Sequence, residues 1–99
     1  MPSTRCHAAV FNGVVYRNVI VSYDSIDYCR RVTLCPFEEE VHSTDDFNGA
    51  ILILPADADF DISSVRITPS DFSDILSVIA SGLPVALPDE PLRLMFLPL

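Results

Sequence analysis

The residues of this 99-residue chain best able to do chemistry are its carboxylates, thiols and two imidazoles. Asp57, Asp59 and Asp61 alternate like the first three ligands of an EF-hand loop. Such a loop needs Gly at the sixth position and a bidentate Glu at the twelfth, where this chain has Ile62 and Thr68. These three Asp are the leading metal candidates, and the competing reading is a solvated acidic turn. Cys6, Cys29, Cys35, His7 and His42 could be grouped as a zinc set, but neither C-x2-C nor H-x3-H spacing occurs. On a regular strand over 26–37, Cys29 and Cys35 would share a face yet stand about 20 Å apart. A Cys–His nucleophile could draw on any of these thiols. Cys6 and His7, as neighbours on a strand, would point to opposite faces. Glu38-Glu39-Glu40 supplies carboxylates, but a general acid needs a cleft that raises its pKa; the run reads as solvated surface, offset by Arg30-Arg31.

Composition narrows the chemistry further. All six basic residues are Arg, so neither a Schiff-base lysine nor a P-loop lysine exists. The three glycines, at 13, 49 and 82, form no phosphate-cradling loop. No catalytic residue and no cofactor site is assigned. Of fourteen acids, eight lie between Val32 and Val65, a stretch without Arg, so the net charge of −8 resides in the central third. This block reads as a solubilising face or as a docking surface for a basic partner or cation. A pI near 4.3 argues against nucleic acid and anionic membrane as partners. No apolar run approaches the roughly 18 residues of a membrane span. The odd count of three Cys, with no signal pattern ahead of them, reads as reduced thiols in a cytoplasmic protein.

The elements that must position these groups follow from periodicity. A length of 99 residues with 49% hydrophobic content allows a single domain, residues 1–99, and excludes an α/β barrel. Arg5 to Phe11 is a short strand, and Asn12-Gly13 is a two-residue hairpin signal. Val14 to Tyr23 is the clearest strand. A two-residue turn sets Val10 opposite Val15 and Ala8 opposite Arg17, so Cys6, Ala8 and Val10 join Val15, Val19, Val21 and Tyr23 on one apolar face. Asp24-Ser25 reads as a turn, Ile26 to Phe37 as a third strand with Val32 and Leu34 inward, and Glu38 to Asp46 as a loop or short strand. Asn48-Gly49 is a second turn signal. Ala50 to Leu54, continuously apolar and ended by Pro55, reads as a strand covered on both faces. Thr68-Pro69-Ser70-Asp71 opens a helix, Phe72, Ile75, Leu76 and Ile79 mark its buried face, and Gly82 supplies a left-handed stop with Leu83 packing behind it. Leu92 to Leu97 is a short strand near an edge. The expected fold is mostly β with one helix (α+β): a small antiparallel sandwich or rolled sheet covered by a helix at about 69–81.

The order Cys6–Val10, Val14–Val21, Ile26–Leu34, then Phe47-Asn48-Gly49-Ala50-Ile51-Leu52-Ile53-Leu54-Pro55, resembles the N-terminal strands of the amidohydrolase superfamily of metal-dependent hydrolases. These enzymes begin with a small β-sandwich, the composite domain, before their catalytic barrel. The resemblance covers residues 1–55; the acidic turn, helix and Pro-rich strand of 56–99 lie outside it. In that family a His-x-His metal motif follows the Pro. Here Pro55 is followed by Ala56-Asp57-Ala58-Asp59-Phe60-Asp61, and both His lie upstream. The resemblance therefore implies a non-catalytic β module acting through protein association, or alternatively an accessory subunit or remnant of such a hydrolase. Leu94-Met95-Phe96-Leu97 is apolar enough to seat on a second copy as a homodimer.

Overall fold

The computed structural model describes residues 3–36, 45–59 and 72–98. Five strands and one helix follow in the order β1 (Ser3–Phe11), β2 (Val14–Tyr23), β3 (Val32–Pro36), β4 (Asp45–Pro55), α1 (Phe72–Gly82) and β5 (Leu92–Pro98). The strands form one open sheet of order β3-β2-β1-β4-β5. The fold is mostly β with one helix, as composition and periodicity indicate. The sheet is mixed, since β1 and β4 run parallel while the other pairs are antiparallel.

Asn12 and Gly13 both have positive φ, 50° and 79°, as a type I′ turn requires. Val10 consequently pairs with Val15 and Ala8 with Arg17. The single apolar face expected from that register is not formed. Cys6 lies in one core cluster with Val19, Val21 and Tyr23, whereas Ala8, Val10 and Val15 belong to the other. The switch occurs at one level of the sheet. Asn18 adopts a left-handed φ of 51° in mid-strand, and the β1–β4 register shifts between Cys6 and Ala8. An irregularity there reverses which parity points inward on β1 and β2.

Both faces of β4 are covered, and Ile51, Leu52, Ile53 and Leu54 are fully buried. On the helix face, Leu76, Ile79, Ala80 and Leu83 pack on Ala8, Val10, Ala50, Leu52, Leu54 and Leu97, with Ile75 and Met95 at the margin. The helix start at Thr68-Pro69-Ser70-Asp71 lies outside the described residues. Gly82 ends α1 without a left-handed φ, contrary to the expected stop; among the described glycines only Gly13 has one. Leu83 still donates to Ile79 O at 2.8 Å. The helix stops there because Pro84 restricts Leu83 and offers no N–H.

The opposite face is covered by irregular backbone. Ile26 to Arg31 is not strand; it crosses to β5, where Cys29 and Leu92 exchange hydrogen bonds of 2.6 and 2.8 Å and Leu94 N–H reaches Ile26 O at 2.9 Å. Beyond Leu83 the chain passes to this same side, with Ala86 buried and held by Asn12 Oδ1 at 2.9 Å from its N–H. This loop face is strongly concave. Tyr23 on β2 and Phe96 on β5 are three strand spacings apart in the sheet, about 14 Å if it were flat. Their ring centroids lie 6.4 Å apart, edge to face, and Phe47 meets Phe96 at 5.0 Å. The small side chains of Thr4, Cys6 and Ala9 on the intervening strand leave room for that curl.

Asn48-Gly49, expected as a turn, lies inside β4. A Cβ on Gly49 would overlap the Leu97 carbonyl oxygen and stand 2.9 Å from Pro98 Cα. The glycine is required by the close approach of β5, not by turn geometry.

Candidate functional site

Among the described residues, two depressions stand out. The first, of about 200 Å³, lies at the β1–β4 irregularity and is lined by Arg5, Cys6, His7, Asp46, Phe47 and Asn48. His7 Nε2 stands 2.7 Å from Asn48 Oδ1, and Arg5 pairs with Asp46 at 3.9 Å in an exposed contact. The strand irregularity places His7 on the surface beside Asn48, while Cys6 is buried. The Cys6 thiol points into the core toward Val19 O at 3.8 Å, and burial pushes it up to about 11. With the thiol buried in the core and His7 on the surface, the two side chains point apart and do not form a catalytic couple.

The second depression, of about 560 Å³, is lined by residues 30–33, by residues 86–90, and by Phe11, Asn12 and Leu92. Its lining includes two basic residues, Arg30 and Arg31, and two acidic ones, Asp89 and Glu90. Pro88 and Asp89, the latter at φ 67°, form a turn closed by Glu90 N–H to Leu87 O at 3.2 Å. A positive φ at the third residue of a turn whose second residue is Pro is the type II arrangement.

Beside this depression, Asp24 organises the crossing segment. Its Oδ1 accepts from the N–H groups of Arg30 and Arg31 at 3.0 and 3.3 Å. A hydrogen bond from the Cys29 thiol, with these backbone donors, holds the Asp24 carboxyl below its ordinary value. The Cys29 thiol is raised, first by burial and then by Asp24, and it lies 3.1 Å from Arg31 O. The sequence shows Asp24-Ser25 only as a turn. That Asp24 anchors a segment six residues on is visible only once the loop is folded.

The remaining candidates are scattered. Asp57 and Asp59 are exposed after Pro55, and Asp61, His42 and Glu38-Glu39-Glu40 lie outside the described residues. Cys29 is buried in the crossing segment while Cys35 is exposed on β3, so the two do not share a strand. Among the described residues, no group of three or more His, Cys, Asp or Glu could hold a metal ion. Nor is any helix among them long and apolar enough to cross a membrane. The apolar run Leu94 to Leu97, expected as a seat for a second copy, is used internally: Leu94 and Leu97 are buried, one on each face. The chain matches no family model, no curated protein and no solved structure.

Proposed function

We propose that this chain is a non-catalytic β module that acts by associating with protein in the cytoplasm, built on the plan of the composite domain of metal-dependent hydrolases. The observation that carries the reading is the unequal treatment of the two sheet edges. The β5 edge is hydrogen-bonded to the crossing segment at Leu92 and Leu94, whereas β3 is the other edge of the described sheet. The terminal strand of a sheet presents backbone groups that can pair with another chain. The three free thiols Cys6, Cys29 and Cys35 support a reducing compartment.

Native gel filtration of an extract from the cells that make the protein tests the association. Elution of the chain well above its 10.9 kDa monomer mass is the expected result. Elution as free monomer at its natural abundance overturns the proposal.

A further inference from the structure

The geometry points to a second copy of this chain as the occupant of the β3 edge, paired antiparallel about a two-fold axis at Leu34. This rests on the association reading and names its partner and register.

The register of β2 with β3 shows which backbone groups face outward. Asp24 N–H bonds to Arg31 O at 3.3 Å, which fixes that pair as hydrogen-bonded. Antiparallel pairs alternate, so Ser22–Thr33 and Ile20–Cys35 are also hydrogen-bonded pairs, directed at β2. The N–H and C=O groups of Val32 and Leu34 therefore point away from the sheet, as does the C=O of Pro36. Pro36 lacks an N–H at a position where the outer edge, and not β2, would have used it.

A two-fold axis at Leu34 uses every outward donor of β3. Leu34 of each copy donates to the Leu34 carbonyl of the other, and Val32 of each donates to the other's Pro36 carbonyl. Thr33 of one copy then faces Cys35 of the other across a pair without hydrogen bonds, where side chains approach most closely. Both side chains are on exposed residues, so nothing in the core must move. Charge favours the same direction. Arg30-Arg31 precedes β3 and Glu38-Glu39-Glu40 follows it in the sequence. Antiparallel pairing sets the basic end of one strand beside the end of the other that leads into the acidic run. Parallel pairing would set like ends together.

Amide hydrogen exchange of the purified chain, followed by NMR from about 20 μM to about 1 mM, reads this pairing by mass action. Exchange at Val32 and Leu34 is expected to slow about tenfold over that range, while Thr33 and Cys35, already bonded to β2, change little. In the Thr33→Cys variant, diamide, which takes up the two thiol hydrogens, is expected to link the new thiol to Cys35 of the second copy. The Thr33→Asp/Cys35→Asp variant sets carboxylates opposite each other and is expected to weaken the dimer at least about tenfold. Its circular dichroism serves as the control for folding.

A purified chain that stays monomeric at the highest concentration, with Val32 and Leu34 unchanged, overturns the self-pairing. If the extract still shows a larger species, association itself stands with another partner. A dimer that leaves Val32 and Leu34 unprotected, or that survives the double Asp variant unchanged, overturns the β3 edge while keeping self-association.

Discussion

The two faces of the sheet are closed by different means. On the helix face, α1 and the Leu83 that follows it bring Leu76, Ile79, Ala80 and Leu83 against Val10, Leu52, Leu54 and Leu97 of the sheet, so cover and sheet both contribute large side chains. On the loop face, the cover is irregular backbone whose buried contributions are small, Cys29 and Ala86. There the apolar volume comes from the sheet itself, which curls until Tyr23, Phe96 and Phe47 meet. A regular element covers by side-chain volume. A loop must be pinned by hydrogen bonds, because its polar backbone has no helix ladder to satisfy it. Asn12, Asp24 and the Cys29–Leu92 pair are those pins.

The contrast predicts where substitutions act. The largest effect is expected on the helix face, where Leu76→Ala removes a fully buried side chain and should cost about 2–5 kcal/mol in denaturant unfolding. Next comes the β4–β5 seam. Gly49→Ala forces a methyl against the Leu97 carbonyl and should cost about 1–3 kcal/mol, read as a lowered midpoint with unchanged slope.

On the loop face, Asn12→Ala deletes no core volume. It removes the acceptor for Ala86 N–H and places Ala at a left-handed φ, and should cost about 1–2 kcal/mol. Faster amide exchange at Ala86, without change at Leu52, would separate loop release from global loss.

The smallest effect is expected for Asp24→Asn, and its sign depends on pH. The folded carboxyl sits below its ordinary value, so the charged form contributes stability above the unfolded pKa and that contribution fades as pH falls through the folded one. The variant should be less stable than the parent near neutral pH. The two should converge below the ordinary carboxylate range, in parallel thermal melts. Equal stability at every pH would remove Asp24 from the set of pins.

Much of this architecture is legible in particular residues. Asn12-Gly13 sets the hairpin register, because few residues tolerate two consecutive left-handed φ values. Val14–Tyr23 emerges with its full bounds, Ala50 to Leu54 is covered on both faces, and Leu92 opens the edge strand. The errors have a common cause. Asn18 and Asn48-Gly49 carry turn chemistry, yet both are absorbed into strands, where one reverses a face and the other admits β5. Ile26 to Arg31 has strand-like composition but serves as a cross-sheet cover. Local propensity gives way there to non-local hydrogen bonds with Leu92 and Leu94. The candidate groups fared similarly. The sequence separates Cys6 from His7 by strand alternation, and they are separated. The roles of Asn48 and Asp24 come from partners 41 and up to 7 residues away and leave no mark on spacing.

Sequence alone determined the class of fold, the hairpin, the doubly buried strand, the helical face and the absence of Lys chemistry, since these depend on local backbone preference, periodicity and composition. Only the tertiary structure decided that β1 and β4 run parallel, which thiols are buried, and that the β5 edge is occupied while β3 remains at the edge of the described sheet. Each of these depends on which distant segment completes a hydrogen bond or fills a concavity, and such pairings are set by the folded chain as a whole.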